Sequence, residues 1–142
     1  HWADMTSGLF EADERGADMP ILLDAAGNVT EGPGFNVFVI RDGRVATPDS
    51  NVLGGITRLT VIELCAELGL PCDVRPVSAE ELRNADEILF SSTSGGPFGV
   101  TRIDGRILSN DRPGPLTNRL REAYWAKRKA GWHAEPVRYD LV

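Results

Sequence analysis

The sequence predicts an α+β domain built on a mixed, barrel-like sheet. Two Asp-Gly dipeptides, Asp42-Gly43 and Asp104-Gly105, each separate short apolar runs and are typical of type I′ hairpin turns. Segments with helical periodicity are interspersed with these hairpins, and no internal repeat is present. The glycine patterns of doubly wound nucleotide-binding folds and P-loops are absent. With 142 residues, the chain is long enough for one domain with a substantial core.

The first half of the chain is predicted to contain two helices and three short strands. Leu9 and Phe10 lie on the apolar side of the first helix, and Gly16 ends it as a C-terminal cap residue would. A turn at Gly27-Asn28 follows the first strand. The predicted segments are a helix over 4–15, strands over 21–24, 35–40 and 45–47, and a helix over 57–68 with an apolar face of Val61, Ile62, Cys65, Ala66 and Leu68.

The second half is predicted to alternate strands with a short and a long helix. Ser78 and Glu81 have the spacing of a capping box, which indicates a short helix to about Arg83. Pro115 suits the first position of the last helix, and Gly131 ends that helix. The predicted strands are 72–77, 87–92, 99–103 and 106–108, the last helix has an apolar face of Leu116, Leu120 and Tyr124, and the tail over 132–142 is a loop or a terminal strand.

Composition and charge exclude several classes of protein. Apolar residues make up 42% of the chain and charged residues 25%, which are ordinary values for a globular domain, and no apolar run reaches the length of a membrane span. The net charge of −6 argues against a nucleic-acid partner, which would need a basic stripe. Cys65 and Cys72 form no CxxC pair and the two histidines are remote, so we expect no metal site. The absence of a signal-like start, together with two cysteines, favours a reducing, cytoplasmic setting.

The segment Leu53-Gly54-Gly55-Ile56-Thr57-Arg58 is a candidate anion site, because it stands directly before a predicted helix. Glycines allow the backbone to approach a ligand closely. The start of the helix offers unpaired N–H groups and the positive end of its dipole, which together suit a phosphate. The alternative is a plain loop, since glycine and threonine are also common near helix starts.

Two further segments carry groups that could bind an anion or a ring nitrogen. Residues 91–96, Ser-Ser-Thr-Ser-Gly-Gly, could surround an anion with hydroxyls and amides, or could form a flexible polar turn. Glu31 and Asn36 bracket a Gly-Pro-Gly turn before an apolar strand, where a carboxylate either faces inward against a ring nitrogen or stays solvated. No GxSxG or HExxH motif is present, so a hydrolase is poorly supported.

The three candidate segments occur in an order that resembles one family. The chain resembles the branched-chain and D-amino-acid aminotransferases, which are pyridoxal-phosphate (PLP) enzymes of fold type IV, and within them the (R)-selective amine transaminases. The resemblance covers nearly the whole chain. The matching segments are Leu22-Leu23-Asp24, Thr30-Glu31-Gly32-Pro33-Gly34-Phe35-Asn36-Val37, Thr47-Pro48, Leu53, Gly55-Ile56-Thr57-Arg58, Ala85-Asp86-Glu87, Ser92-Thr93-Ser94-Gly95-Gly96, Gly114-Pro115-Leu116-Thr117 and Tyr124-Trp125.

The resemblance implies roles for individual residues around PLP. Glu31 would pair with the pyridine nitrogen, and Asn36 would support the turn that holds Glu31. Thr57 would bind the phosphate with its amide and hydroxyl. The other implied positions are the amide of Ile56 and the side chain of Thr93 at the phosphate, Leu53 against a face of the ring, and Trp2, Ser94, Gly95 and Gly96 around the substrate pocket.

One departure from the family concerns its Schiff-base lysine, which is expected just before the position of His1. The chain contains only Lys127 and Lys129, and neither stands at a matching position. The resemblance therefore implies that residues 1–142 form the C-terminal PLP-binding domain of a longer enzyme and are inactive alone. It also implies an N-terminal domain that closes the site, and a homodimer.

The activity implied is the transfer of an amino group from an (R)-configured amine to a 2-keto acid such as pyruvate. The alternatives that the sequence leaves open are a D-amino-acid or branched-chain aminotransferase, an aminodeoxychorismate-type lyase of the same fold, and a non-catalytic binding domain.

Overall fold

Residues 2–141 are described by a computed structural model, in which helices flank a mixed sheet. The elements are α1 Trp2–Glu14, β1 Glu31–Gly32, β2 Phe35–Arg41, β3 Arg44–Thr47, α2 Ile56–Glu67, β4 Cys72–Val74, α3 Ala79–Arg83, β5 Glu87–Ser92, β6 Gly96–Val100, β7 Arg102–Ile103, β8 Arg106–Ile107 and α4 Pro115–Lys129, with a 3₁₀ turn at Tyr139–Leu141. The α+β class and the mixed sheet predicted from the sequence are confirmed. In this described range the sheet does not close into a barrel.

β2 and β5 lie at the centre of the sheet, whose strand order is β4-β3-β2-β5-β6. β1 pairs with the N-terminal end of β2, at Phe35 and Asn36. The β3–β4 pair is parallel and the remaining pairs are antiparallel. The register places Asn36 of β2 opposite Ser91 of β5, and Ile40 opposite Glu87. The loops after β1, β3 and β5 therefore approach one another at the Asn36 end of β2.

Both faces of the central strands are buried, so their sequences are nearly continuous apolar runs. One face, which includes Phe38 and Leu89, packs against α2 and α4. The opposite face, which includes Val39 and Phe90, forms a second core, in which the Phe90 ring stacks on Phe35 with 4.0 Å between centroids. Because α2 lies on the first face, its N-terminus is held at the edge where the candidate segments meet.

Glu87 attaches α4 to the sheet. Its carboxylate is buried at 6% exposure and accepts hydrogen bonds from the amides of Leu116 (3.1 Å) and Thr117 (2.8 Å) in the first turn of α4. A carboxylate at a helix N-terminus satisfies amides that lack partners within the helix and interacts favourably with the dipole. A Cβ atom at Gly114 would lie 2.1 Å from Glu87 Cδ, so this contact requires glycine.

The strand predicted over 21–24 is wrong. Leu22 exchanges backbone hydrogen bonds with Thr30 and Glu31, but only an isolated bridge, between Leu23 and Val29, is formed. The Asp24 carboxylate accepts bonds from the amides of Ala26 and Asn28, and these bonds turn the chain before a ladder can extend.

Other details differ from the prediction. β4 ends at Val74 instead of residue 77. The described part of the tail contains no strand, which agrees with the loop alternative. Ser78 does cap α3 by accepting from the amide of Glu81, but the Glu81 side chain pairs with Arg75 and does not return to the cap. Ala66, expected on the apolar face of α2, is exposed. No helix within residues 2–141 is both long and apolar enough to span a membrane.

Candidate functional site

Glu31 and Asn36 form the rigid part of the site. They are direct partners in the β1–β2 ladder, which Gly34 permits by adopting a φ of +83° in the turn. Glu31 Oε2 accepts hydrogen bonds from Asn36 Nδ2 (3.0 Å) and from the amide of Leu53 (2.8 Å), and Asn36 Nδ2 also donates to the Leu53 carbonyl (3.0 Å). Among the described residues no hydrogen bond reaches the second carboxylate oxygen, Oε1. The half-buried carboxylate is thus oriented through one oxygen and available through the other.

The N-terminus of α2 lies beside this carboxylate. Gly55 caps the helix without a side-chain bond, so the first-turn amides are available to a ligand. A Cβ atom at Gly55 would lie 2.3 Å from Asn36 Oδ1, which shows how closely the helix start rests on Asn36. Thr57 is buried, whereas Ile56 is 81% exposed. The arrangement places free N–H groups and a hydroxyl beside a fixed carboxylate.

Arg58 is a residue whose role the sequence did not predict. Its guanidinium is buried, donating from Nε to Thr47 Oγ1 (3.1 Å) and from Nη2 to the Pro48 carbonyl (2.6 Å). Burial lowers the pKa of the Arg58 guanidinium from its ordinary value. Arg58 thereby fastens the first turn of α2 to the end of β3. The sequence feature that could have indicated this role is a basic residue in the first turn of a helix, where the dipole disfavours positive charge.

The loop after β5 forms the third side of the site. Ser92 Oγ accepts from the amide of Gly95 (3.0 Å) and lies 3.3 Å from Ser94 Oγ, so the loop is an ordered turn. Thr93 is exposed at its tip. Gly96 has a φ of +62°, and a Cβ atom there would lie 2.8 Å from the Tyr124 ring.

Two adjoining cavities connect these segments. The first, of about 310 Å³, includes Trp2, Glu31, Asn36, Leu53, Ile56, Thr57 and Thr93 among its lining residues. The second, of about 290 Å³, is lined by Met19, Pro33, Gly34, Phe35, Ser92, Ser94, Gly95 and Phe98. Gly34, Phe35 and Ser92 border both cavities.

The structure thus brings all the expected cofactor residues into one cavity, but divides the expected substrate residues. Trp2 lies in the first cavity, while Ser94 and Gly95 lie in the second. Gly96 lines neither cavity and is buried against Tyr124. The position expected for the lysine, before His1, lies outside the described residues.

Comparison with known proteins decides the family. The model of the amino-transferase class IV family matches residues 1–103. The chain belongs to the class IV aminotransferases.

The similar members of the class include branched-chain-amino-acid aminotransferases and a D-alanine aminotransferase. The chain is 38% identical over 130 residues to the branched-chain-amino-acid aminotransferase of Pseudomonas aeruginosa, covering 89% of this chain and 42% of that protein. It is 39% identical over 115 residues to the D-alanine aminotransferase of Bacillus licheniformis, covering 80% of this chain and 40% of that protein. This chain therefore spans about two fifths of the length of these two curated relatives.

A solved class IV structure matches the fold as well as the sequence. The T.th. branched-chain amino acid aminotransferase, complexed with N-(5'-phosphopyridoxyl)-L-glutamate, superposes with a TM-score of 0.84 at 35% identity, covering 92% of this chain and 44% of that one. The family expected from the sequence is confirmed, as is a fold shared with its branched-chain members. The expected cofactor agrees with the phosphopyridoxyl group named in that complex. The narrower expectation of an (R)-amine substrate is not decided by these relatives.

Proposed function

We propose that residues 1–142 are the cofactor-binding domain of a PLP-dependent aminotransferase. The observation that carries the proposal is the first cavity, which has the available oxygen of Glu31 on its wall and the N-terminus of α2 beside it. A phosphorylated pyridine needs both features, a carboxylate for the ring nitrogen and an anion site for the phosphate. The phosphopyridoxyl ligand of the similar T.th. enzyme supports the same assignment.

The residues present fit this cofactor. Glu31 Oε1 would accept from the ring nitrogen, and Asn36 would hold the carboxylate at that angle. The amides of Ile56 and Thr57, with the hydroxyls of Thr57 and Thr93, would bind the phosphate. Leu53, which is 70% exposed at the cavity wall, would cover one face of the ring with apolar surface. When bound, PLP supplies the electron sink for the negative charge that develops as the substrate proton leaves.

The lysine that attaches the cofactor and moves the substrate proton would come from outside residues 1–142. Lys127 pairs with Glu67 and lies 4.2 Å from the centre of the Trp132 ring. Lys129 lies in the last turn of α4, and neither lysine lines the two cavities. We therefore propose that this chain binds and orients the cofactor, and that the complete protein is required for proton transfer.

For the substrate we propose an amine, (R)-configured by resemblance, with a 2-keto acid such as pyruvate as acceptor. The resemblance supports the amine; the lining of the second cavity favours neither donor class, because the keto-acid acceptor carries a carboxylate just as an amino acid does. The second candidate is a branched-chain or D-amino-acid aminotransferase, and the relatives' names favour it.

A donor panel distinguishes the two candidates. The complete protein is incubated with PLP, pyruvate or 2-oxoglutarate, and single donors: both enantiomers of an arylalkylamine, D-alanine, and L-leucine. Loss of each donor is then measured. Selective loss of the (R)-amine supports the first candidate, and loss of amino acids alone supports the second. If no donor is consumed while PLP stays bound, aminotransfer itself is refuted.

We also propose that the protein is a homodimer in a reducing compartment such as the cytoplasm. The exposed side chains of Trp2, Phe10 and Leu59 provide apolar surface for burial against an N-terminal domain or a second subunit. Cys65 and Cys72 are both free thiols, as expected in reducing conditions. Light scattering of the complete protein measures its mass and tests the dimer.

A further inference from the structure

Two buried hydroxyl oxygens among the described residues, Ser91 Oγ and Thr117 Oγ1, have no hydrogen-bond partner. A buried hydroxyl without a partner loses its bonds to water and gains nothing in return, so such groups are rare and require an explanation. The two differ in their surroundings. Ser91 is 2% exposed and lines the first cavity, whereas Thr117 lines neither cavity and lies in the first turn of α4.

The position of Ser91 in the sheet determines which part of the cavity it faces. Ser91 is the direct partner of Asn36, and directly opposed residues of antiparallel strands project to the same face. The adjacent Phe90 belongs to the core on the opposite face, as the alternation of a strand requires. Ser91 therefore lies on the face that carries α2, next to the residue on which Gly55 and the start of α2 rest.

We propose that the Ser91 hydroxyl donates a hydrogen bond to the phosphate of the cofactor, from the floor of the cavity. This inference rests on the proposed function and adds a third hydroxyl to those of Thr57 and Thr93. The bound anion would be the missing partner of Ser91 Oγ. The Ser91 hydroxyl thus has no hydrogen-bond partner without a ligand, and it gains one when a phosphate binds at the N-terminus of α2.

The test compares Ser91→Ala with Thr117→Ala in the complete protein. Thr117→Ala removes the other unpartnered hydroxyl and is the matched control. Each apoprotein is titrated with PLP and, separately, with pyridoxal, which lacks the phosphate, and binding is followed by absorbance. Ser91→Ala should weaken PLP binding about tenfold or more, because hydrogen bonds to charged groups are strong, and should leave pyridoxal binding within twofold of the parent. Thr117→Ala should bind both ligands as the parent does.

Thermal unfolding of the apoproteins separates this role from a structural one. If Ser91 has no partner without ligand, Ser91→Ala should unfold at or above the temperature of the parent. A lower unfolding temperature together with unchanged PLP affinity would overturn the proposal, as would equal weakening of PLP and pyridoxal. Should the parent itself fail to bind PLP, the proposed function falls and this inference with it. If Ser91→Ala binds PLP as tightly as the parent does, only this inference is refuted and the proposed function stands.

Discussion

Substitution of Glu31 by glutamine is the most direct test of the proposed cofactor site. Oε2 of Glu31 accepts two hydrogen bonds, from Asn36 Nδ2 at 3.0 Å and from the Leu53 amide at 2.8 Å. The amide oxygen of glutamine can accept both, so the turn should keep its structure. The amide nitrogen then replaces Oε1, and the cavity loses a negative charge and gains a donor at the place proposed for the ring nitrogen.

The expected effect is on the rate and not on substrate binding. Without the carboxylate, the protonated form of the pyridine ring loses its stabilising opposite charge, and the ring withdraws electrons less well. We expect kcat to fall on the order of a hundredfold, or about 2.7 kcal/mol in the barrier. KM should change much less, because the lost interaction is strongest in the transition state.

The assay is steady-state kinetics of the complete protein with its best donor, together with the absorbance spectrum of bound cofactor. Glu122→Gln, an exposed glutamate in α4, is the control for loss of a charge elsewhere. If Glu31 were only a solvated turn residue, its substitution would change stability by about 0.5 kcal/mol or less and leave activity intact. A kcat for Glu31→Gln within twofold of the parent would refute the reasoning.

Three further predictions concern the isolated chain, the phosphate ligands and pH. Residues 1–142 alone, incubated with PLP and an amine donor, should show no turnover above that of free PLP. Faster turnover would contradict the proposal that the lysine that attaches the cofactor lies outside these residues. In the complete protein, Thr57→Ala combined with Thr93→Ala should weaken PLP retention by about tenfold or more through dialysis, because two hydroxyls to a charged group are removed. Arg75 lowers the pKa of the Glu81 carboxyl from its ordinary 4.5, so this ion pair stabilises the fold above that pH and is lost as pH falls below it. Because the pair is partly exposed, its contribution is about 0.5 kcal/mol, and the urea midpoints of parent and Glu81→Gln should converge as pH falls below 4.5.

Local chemistry allowed several elements to be predicted correctly from the sequence. Asp42 and Gly43 both adopt positive φ, at 49° and 73°, as the predicted type I′ turn requires. Pro115 occupies the start of α4, and Gly131 has a φ of 89° at its end. These features depend on the residues at the turn or cap and their immediate neighbours.

Prediction failed where side-chain hydrogen bonds competed with the predicted pattern. The apolar run at 21–24 has the composition of a strand, yet Leu23 finds only one bridge partner, because the Asp24 side chain turns the chain. Whether Glu81 completes a capping box depended on Arg75, which offers a charged partner and outcompetes the cap amide.

The sequence by itself determined the family, the order of the elements and the candidate residues of the cavity. The tertiary structure decided which of them could act together. In the sequence Glu31 resembles a solvated turn residue, but in the structure the amide of Leu53, 22 positions away, donates a hydrogen bond to one of its carboxylate oxygens. Nothing local to Ser91 distinguished it from its neighbours until the β2–β5 register placed it beside Asn36 with no partner. Both outcomes follow from one physical cause: hydrogen-bond partners and burial are set by residues distant in the chain, and a local pattern carries no information about them.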